Sequence, residues 1–451
     1  MQPVRVHPFI AVAAAVASTS ACVTAGQQSY RTMLREVEAA APKPDDERAL
    51  QAQTLERGAL VRVVLSRNPS VESARQAWRA ALARYRQAGT YADPTVRLAL
   101  APLTVASAHA SVGYDVGISQ MIPLGGKLDA QAQLAAAEAE VMSMDFHRVR
   151  LELALAASQL YDDYALAVRS LQIQAEHVAL VQTLKQSAVV AYESGRASAQ
   201  DSLQAESELA KLEYQQSVYE SERDIAVAQL NALLHRDPKA PLPAPQRQDS
   251  PADTQEAPKP AADSGEQLAH RPDIAVARAR TRVAKARSAM ADSEFYPDIM
   301  VETAYSTMWA MPEHRWMIGV QLNIPLWRDK RHAAVEEAQA MQAESQNEVQ
   351  SMTDAARGEV AVAERRVEQA RRAVQLYEQR LVPLARDQID AARSGFVSSQ
   401  GGFRAVIEAE RSLRATELEL QMARADLSKR RAELDRVLGR IPELTPHEAV
   451  P

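Results

Sequence analysis

Glycine is scarce in this chain, with 15 residues in 451, and aromatic residues make up only 5%. Alanine, glutamine, glutamate and arginine dominate instead, which is the composition of long helices. Cysteine occurs once, at Cys22, so no internal disulfide can form. There is no basic surplus: the formal charge is −6, and arginines alternate with glutamates along the chain rather than forming a patch. Nucleic acid is therefore not expected as a partner. Catalytic signatures are missing as well. The sequence has no phosphate loop, no HExxH, no CxxC and no plausible triad, and its nine histidines are scattered. Neither an enzyme nor a bound cofactor is expected.

The N-terminus carries Arg5 and then the apolar run "FIAVAAAVAS", which is too short to span a bilayer. With "TSAC" after it, the segment reads as a secretory signal over residues 1–21, so the protein is exported. The position of Cys22 resembles a bacterial lipobox, in which this cysteine receives a lipid. Thr19 departs from the leucine usual three residues earlier, and Val23 is not the aspartate that retains lipoproteins in the inner membrane. Cleavage after Ala21 with an unmodified thiol is the other reading.

The rest of the chain is one unit written twice. "NPSVESARQAWRAALARYRQAGTYADPTV" from Asn68 aligns without a gap to "RPDIAVARARTRVAKARSAMADSEFYPDI" from Arg271. Pro69 and Pro272, Arg75 and Arg278, Arg79 and Arg282, and Pro94 and Pro297 coincide. "GISQMIPL" then matches "GVQLNIPL", "SGRASAQ" matches "SGFVSSQ", and "LNALLHR" matches "LDRVLGR". The predicted organisation is a signal over 1–21, a lipidated segment with a first helix over 22–67, and a first repeat over 68–236. A connector rich in proline and charge follows over 237–264, then a second repeat over 265–440 and a tail over 441–451.

Each repeat predicts a moderate helix (Ser70 to about Thr90; Pro272 to about Glu294), a β-hairpin (94–123; 297–325) and a long helical hairpin (127–236; 329–438). The run from Lys127 to Ser194 contains neither glycine nor proline, and Leu151, Leu155, Ala156, Leu160, Tyr164 and Leu166 recur at helical spacing. Such a helix reaches on the order of 100 Å. Pro383 should kink its counterpart. Gly195 and Gly395 are expected to supply the left-handed residue where each helix pair reverses, with Ser198 and Ser398 capping the returning helices.

The short segments alternate with period two. Val112, Tyr114, Val116 and Ile118 oppose Ser111, Gly113, Asp115, Gly117 and Ser119; Trp316, Ile318, Val320, Leu322 and Ile324 oppose Met317, Gly319, Gln321 and Asn323. Their partners alternate more loosely, as Val96, Leu98 and Leu100 against Thr95 and Arg97, and as Ile299, Val301 and Tyr305 against Glu302 and Ser306. One reading is a soluble sheet with one wet face. The other is part of a transmembrane barrel, apolar outside and polar toward a lumen. Four strands cannot enclose a lumen, because closure around side chains already takes about eight, so this reading requires an oligomer.

These residues resemble the TolC family of outer-membrane efflux factors over nearly the whole mature chain. "HRPDIAVARARTRVAKARSAMADSEFYPDI" is similar to its most recognisable segment. "IPLGGKLDAQAQLAAAEAE" and "IPLWRDKRHAAVEEAQA" are similar to junctions in its heavy-metal branch, the cobalt-zinc-cadmium and copper-silver systems with RND pumps. The resemblance implies a mainly α protein with a small transmembrane β part: a homotrimer with a twelve-stranded β-barrel, continued by a long α-helical periplasmic barrel. It implies placement in the outer membrane of a Gram-negative bacterium, lipid-anchored and extending into the periplasm. Pro94, Pro123, Pro297 and Pro325 would mark the junctions between strands and helices. Gly195, Ser198, Gly395 and Ser398 would form the tip where a periplasmic membrane-fusion adaptor docks, linking the channel to an inner-membrane RND-type pump; their acting only as helix caps is the plainer reading. Asp201 fits the family's acidic tip gate, whereas Gly401 and Arg404 depart from it in the second hairpin. The implied function is the exit duct of a tripartite efflux system for metal ions or small toxic compounds. A periplasmic coiled-coil structural or adaptor lipoprotein without a pore is the alternative.

One further signal is weak. Met308, Met311, His314 and Met317 offer soft ligands suited to copper(I) or silver(I). The same stretch reads more simply as a loop with interfacial aromatics and methionine as apolar filler, so no metal site is assigned.

Overall fold

The computed structural model describes residues 25–41, 49–105, 111–195, 198–246, 271–398 and 400–441. The signal segment, Cys22 and the tail beyond residue 441 lie outside the described residues, and of the connector only 237–246 is described. Three short elements lead in: α1 (Ala25–Ala39), β1 (Thr54–Leu55) and α2 (Arg57–Arg67). Then come α3 (Pro69–Ala88), β2 (Thr95–Leu100), β3 (Tyr114–Pro123), α4 (Lys127–Glu193) and α5 (Ala199–Leu233). After β4 (Ala244–Pro245), which pairs in parallel with β1, the second half repeats this order. It consists of α6 (Pro272–Ser293), β5 (Asp298–Ser306), β6 (Trp316–Asn323), α7 (Arg328–Leu376), α8 (Val382–Val397) and α9 (Phe403–Val437).

With no glycine or proline to break it, α4 runs unbroken for 67 residues, about 100 Å. The returning α5 has 35 residues, so it covers only the lower part of α4, and α3 and α6 pack along the upper part. Contact on several sides changes which residues are buried. Leu151 and Tyr164 are core residues as expected, but Ala154, Ala157 and Tyr161 complete the seam, while Leu155, Ala156, Leu160 and Leu166 are half-buried.

The break expected at Pro383 takes the form of a widened turn. Proline has no N–H for the carbonyl of Gln379, and a π-helical turn over Tyr377–Leu381 separates α7 from α8 just before it. Along α7, Val360, Val367 and Val374 recur every seven residues, as Leu420, Leu427 and Leu434 do along α9, and all belong to one buried cluster. A seven-residue repeat is the signature of coiled-coil packing with a left-handed supercoil.

The repeat explains how each returning helix meets the start of its own half. Asn68 donates from Nδ2 to Leu233 O at 2.9 Å, and Arg271, aligned with it, donates from Nη1 to Val437 O at 3.2 Å. Beyond these carbonyls, His235 and Gly439 hold φ values of 52° and 74° and end α5 and α9 in the same left-handed way. At mid-height a buried ion pair ties α2 to α4: Arg57 Nη2 lies 2.8 Å from Asp162 Oδ2, and Ser428 of α9 donates to Asp162 Oδ1 at 3.0 Å. Burial pushes the Asp162 carboxyl up to about 6, against the pull of Arg57.

Candidate functional site

Two regions can carry function, the sheet at one end of the helices and the hairpin tips at the other. The two expected hairpins are joined: β3 pairs antiparallel with β5 across the halves, giving one four-stranded sheet in the order β2, β3, β5, β6. Register sets the faces. Leu98, Val116, Tyr305 and Trp316 stand in one row across the sheet, Val96, Ile118, Thr303 and Ile318 in the next, and Ile122, Ile299 and Leu322 further down. This face is apolar except for Gln120 and Thr303, and it is bare in the single chain, with Ile318 84% and Val96 69% exposed. Leaving such a face in water is costly at roughly 25 cal/mol per Å².

Aromatic rings bound this apolar band at both ends. Tyr305 lies 5.3 Å from Trp316 and 6.2 Å from Tyr114 at the loop end. Tyr91, Tyr296 and Trp327 stand exposed where the strands join the helices. Between them the eight residues of β6 extend about 27 Å, which suits the apolar belt of a membrane barrel. No helix among the described residues is long and apolar enough to cross a membrane. The outer edges of β2 and β6 have no strand partner among the described residues.

The opposite face is polar. Arg97 Nε donates to Asp115 Oδ1 at 3.1 Å, and Glu302 is flanked in register by Ser119 and Gly319. Met308 and Met317 line one shallow pocket on this side with Arg97, Asp115, Ser306 and Trp309. Met311 and His314 are not part of it, His314 standing against Trp309 at a ring distance of 6.4 Å. Among the described residues no group of His, Cys, Asp and Glu side chains could hold a metal ion. Pro94 and Pro297 precede β2 and β5, Pro123 ends β3 and Pro325 follows β6, so all four prolines lie at the helix end of the sheet.

The tips differ from each other. In the first, Gly195 holds φ +69° as expected, and Ser198 is the N-cap of α5. Asp201 accepts the Ser198 N–H at 3.2 Å in a capping box, so its carboxylate is engaged locally. The second tip corrects the expectation. Gly395 lies inside α8 without a positive φ, and Ser398 is the C-cap of α8 rather than the N-cap of α9. Its hydroxyl donates back to Ser394 O at 2.9 Å, and Gly402 takes the N-cap position of α9. The chain turns four residues later than in the first tip, where "SSQGG" supplies its glycines, and both Gln400 and Gly401 donate to the Gly395 carbonyl. Arg404 pairs with Glu408 on its own helix.

Two contacts at these sites were not singled out by sequence patterning. Phe403 is 2% exposed and inserts against Leu184 and Ala188 of α4 and Ala205 of α5, with Phe396 edge-on at 5.4 Å, so the two tips are packed together. At the other end Lys127, buried at the start of α4, lies 2.8 Å from Asp298 and 3.8 Å from Glu294. An aromatic residue following "GG" was the available signal for the first. The second had none, because its partners belong to different halves.

The sequence profile of the outer membrane efflux proteins matches residues 60–235 and 264–440. The chain belongs to this family. It is a family of channels rather than enzymes. No curated protein sequence matches the chain. Among solved structures, CusC superposes with a TM-score of 0.75 at 20% identity, covering 86% of this chain and 94% of that one. OprN, an outer-membrane channel, gives 0.72 at 18% identity, with 89% and 96% covered. The MtrE outer-membrane channel of Neisseria gonorrhoeae, in its open state, gives 0.71 at 18%, with 85% and 89% covered. At these identities the likeness is one of fold: a mainly α chain with a small strand part, built as in the TolC-like channels.

Proposed function

We propose that this chain forms a homotrimeric exit duct in the outer membrane of a Gram-negative bacterium. Three copies of the four-stranded sheet close into a twelve-stranded barrel, the edge of β2 in one copy pairing with β6 of the next. The long helices continue the barrel into the periplasm. The observation that carries this reading is the sheet itself, whose apolar outer face and two open edges leave it incomplete as a single chain. A poreless periplasmic scaffold gives that sheet no role.

In this reading Cys22 carries a lipid, and one acyl chain adds to an anchor that the barrel already supplies. The tips around Gly195, Ser198 and Asp201, and around Gly395 and Ser398, seat a periplasmic adaptor that connects the duct to an inner-membrane RND-type pump. The junction sequences around Pro123 and Pro325 favour the heavy-metal branch, and hence metal ions as cargo. The thioethers of Met121, Met300 and Met317 on the polar strand face are compatible with soft ions.

The test is fractionation. The protein should stay with the outer membrane through a high-salt wash, need detergent for extraction, and migrate as a trimer in mild detergent. Recovery as a water-soluble monomer would overturn the duct.

A further inference from the structure

About 24 Å before the tip end of α4, a histidine is buried where the two helical hairpins of the chain meet. His177 is 4% exposed. Its Nδ1 lies 2.9 Å from Glu410 Oε1 and its Nε2 lies 3.0 Å from Glu417 Oε2, both carboxylates on α9. An ionised carboxylate only accepts, so both contacts are hydrogen bonds only when both ring nitrogens carry a proton. A neutral ring has one proton and can satisfy one carboxylate. The other nitrogen then faces an oxygen with lone pair against lone pair.

The surroundings bring charge from each helix packed here. Arg386 of α8 holds the other oxygen of Glu417 at 2.9 Å. From α9, Arg414 lies 4.0 Å from Glu410 and 3.6 Å from Glu208 of α5, and Arg411 pairs with Glu208. On α4 itself the neighbouring buried Gln174 spends its amide on Leu212 O at 2.7 Å. Glu410 Oε2 is buried with no hydrogen-bond partner, so the histidine contact is the main compensation of a fully buried carboxylate. Besides these Glu208 ion pairs, the hairpins meet near the tip through apolar contacts, Phe403, Val406 and Ile407 below the histidine and Leu180 against the Ile389 and Leu413 cluster beside it.

We propose that His177 is a proton-dependent bolt between the two helical hairpins of one chain: protonated, it bridges Glu410 and Glu417 and fixes α4 against α9, and on giving one proton to water it releases one carboxylate and lets the tip ends separate. Burial opposes the charge on the ring, but the hydrogen bonds to Glu410 and Glu417 outweigh it and hold its pKa above the ordinary histidine value. The bolt is therefore closed below the ordinary histidine range and opens as pH rises through the higher folded value. The geometry of the bolt rests on the fold alone; only its consequence, a wider passage, rests on the duct reading.

Nitroxides on Val190 of α4 and Val397 of α8, both exposed, report the hairpin separation by pulsed EPR. They are placed by cysteine substitution in the full chain with Cys22→Ser, in detergent. At pH 5.5 one narrow distance is expected, and at pH 9 a longer and broader distribution. His177→Gln should give the broad distribution at both pH values. Glu417→Gln leaves a single carboxylate partner and should move the midpoint down by about one pH unit. Identical wild-type distributions at both pH values, or a pH response that survives His177→Gln, would overturn the bolt. If His177→Gln fails to reach wild-type helicity, the Glu417→Gln midpoint decides, and an unshifted value counts against the proposal. No transport enters this readout, so a chain that fails to conduct leaves the bolt standing.

Discussion

Lys127 Nζ lies 2.8 Å from Asp298 Oδ1, so the first residue of the long helix α4 is bound to the first residue of strand β5 in the other half. A cation at a helix N-terminus faces the positive end of the helix dipole, an unfavourable arrangement of about 0.3–1 kcal/mol. The buried lysine is held there by Asp298 and, further off, Glu294. Lys127→Met should lower stability by about 1.5–3 kcal/mol because it strands the carboxylate. The double change Lys127→Met with Asp298→Leu should regain much of that loss. Urea unfolding of both single variants and the double, followed by far-UV circular dichroism, checks this, and a loss in the double equal to the sum of the two single losses would show that the pair is not coupled.

The strand faces make a sharper distinction. Val116 and Ile318 point to the bare apolar face, and Ser119 points to the polar face beside Glu302. Arginine at the middle of a barrel's lipid face costs roughly 2–4 kcal/mol, and threefold symmetry repeats the cost in each subunit. Val116→Arg and Ile318→Arg should therefore stop assembly in the membrane. Ser119→Arg should assemble and find Glu302. The amount of trimer recovered from outer membranes is the measurement, and equal yields for all three would reverse the assignment of faces.

Much of this was readable from the residues, and the misses have physical causes. Alternation in "SVGYDVGISQ" and "RWMIGVQLNI" identified strand faces because period-two patterning survives any partner. It could not show that β3 pairs with β5, because register between distant strands depends on how the two halves pack. The repeat located both tips, yet the two diverge. Gly195 sits where a left-handed residue is needed, while in the second tip none of Gly395, Gly401 and Gly402 has a positive φ, and Gly402 serves instead as the extended N-cap of α9. Isolated buried ions such as His177, Glu208 and Glu410 interrupt apolar stripes in the sequence and look like solvated positions. Only packing from a second hairpin reveals them as core.

Phe403 joins the tips by an apolar contact that spans both hairpins. Phe403→Ala would leave a cavity among Leu184, Ala188 and Ala205, and truncation of a buried phenylalanine costs about 3–5 kcal/mol. The helices above are held by their own clusters, so the loss should stay near the tip. Hydrogen exchange should speed up in the segments ending α4 and starting α9 and remain unchanged around Val367 and Leu427. Uniform acceleration along the chain would contradict a local role.

The divergence of the tips gives different expectations for its two aligned glycines. At Gly195 the space around a Cβ is open, but φ is +69°, and a side chain in the left-handed region costs roughly 1–2 kcal/mol, more when it is β-branched. Gly195→Val should therefore change the shape of the first turn although it touches nothing. At Gly395 the backbone is helical, and a Cβ would meet Gly401 N at 3.8 Å, an ordinary contact. Gly395→Ala should leave the second turn intact and gain a little helix propensity. If the tips seat an adaptor, cells carrying Gly195→Val should lose resistance to the exported compound while the protein is still exported and assembled. Cells carrying Gly395→Ala should match the wild type. Crosslinking from Ser198 to the adaptor should fall in the first variant and stay unchanged in the second. Full resistance and full crosslinking in Gly195→Val would mean that this turn reverses the chain and does nothing else.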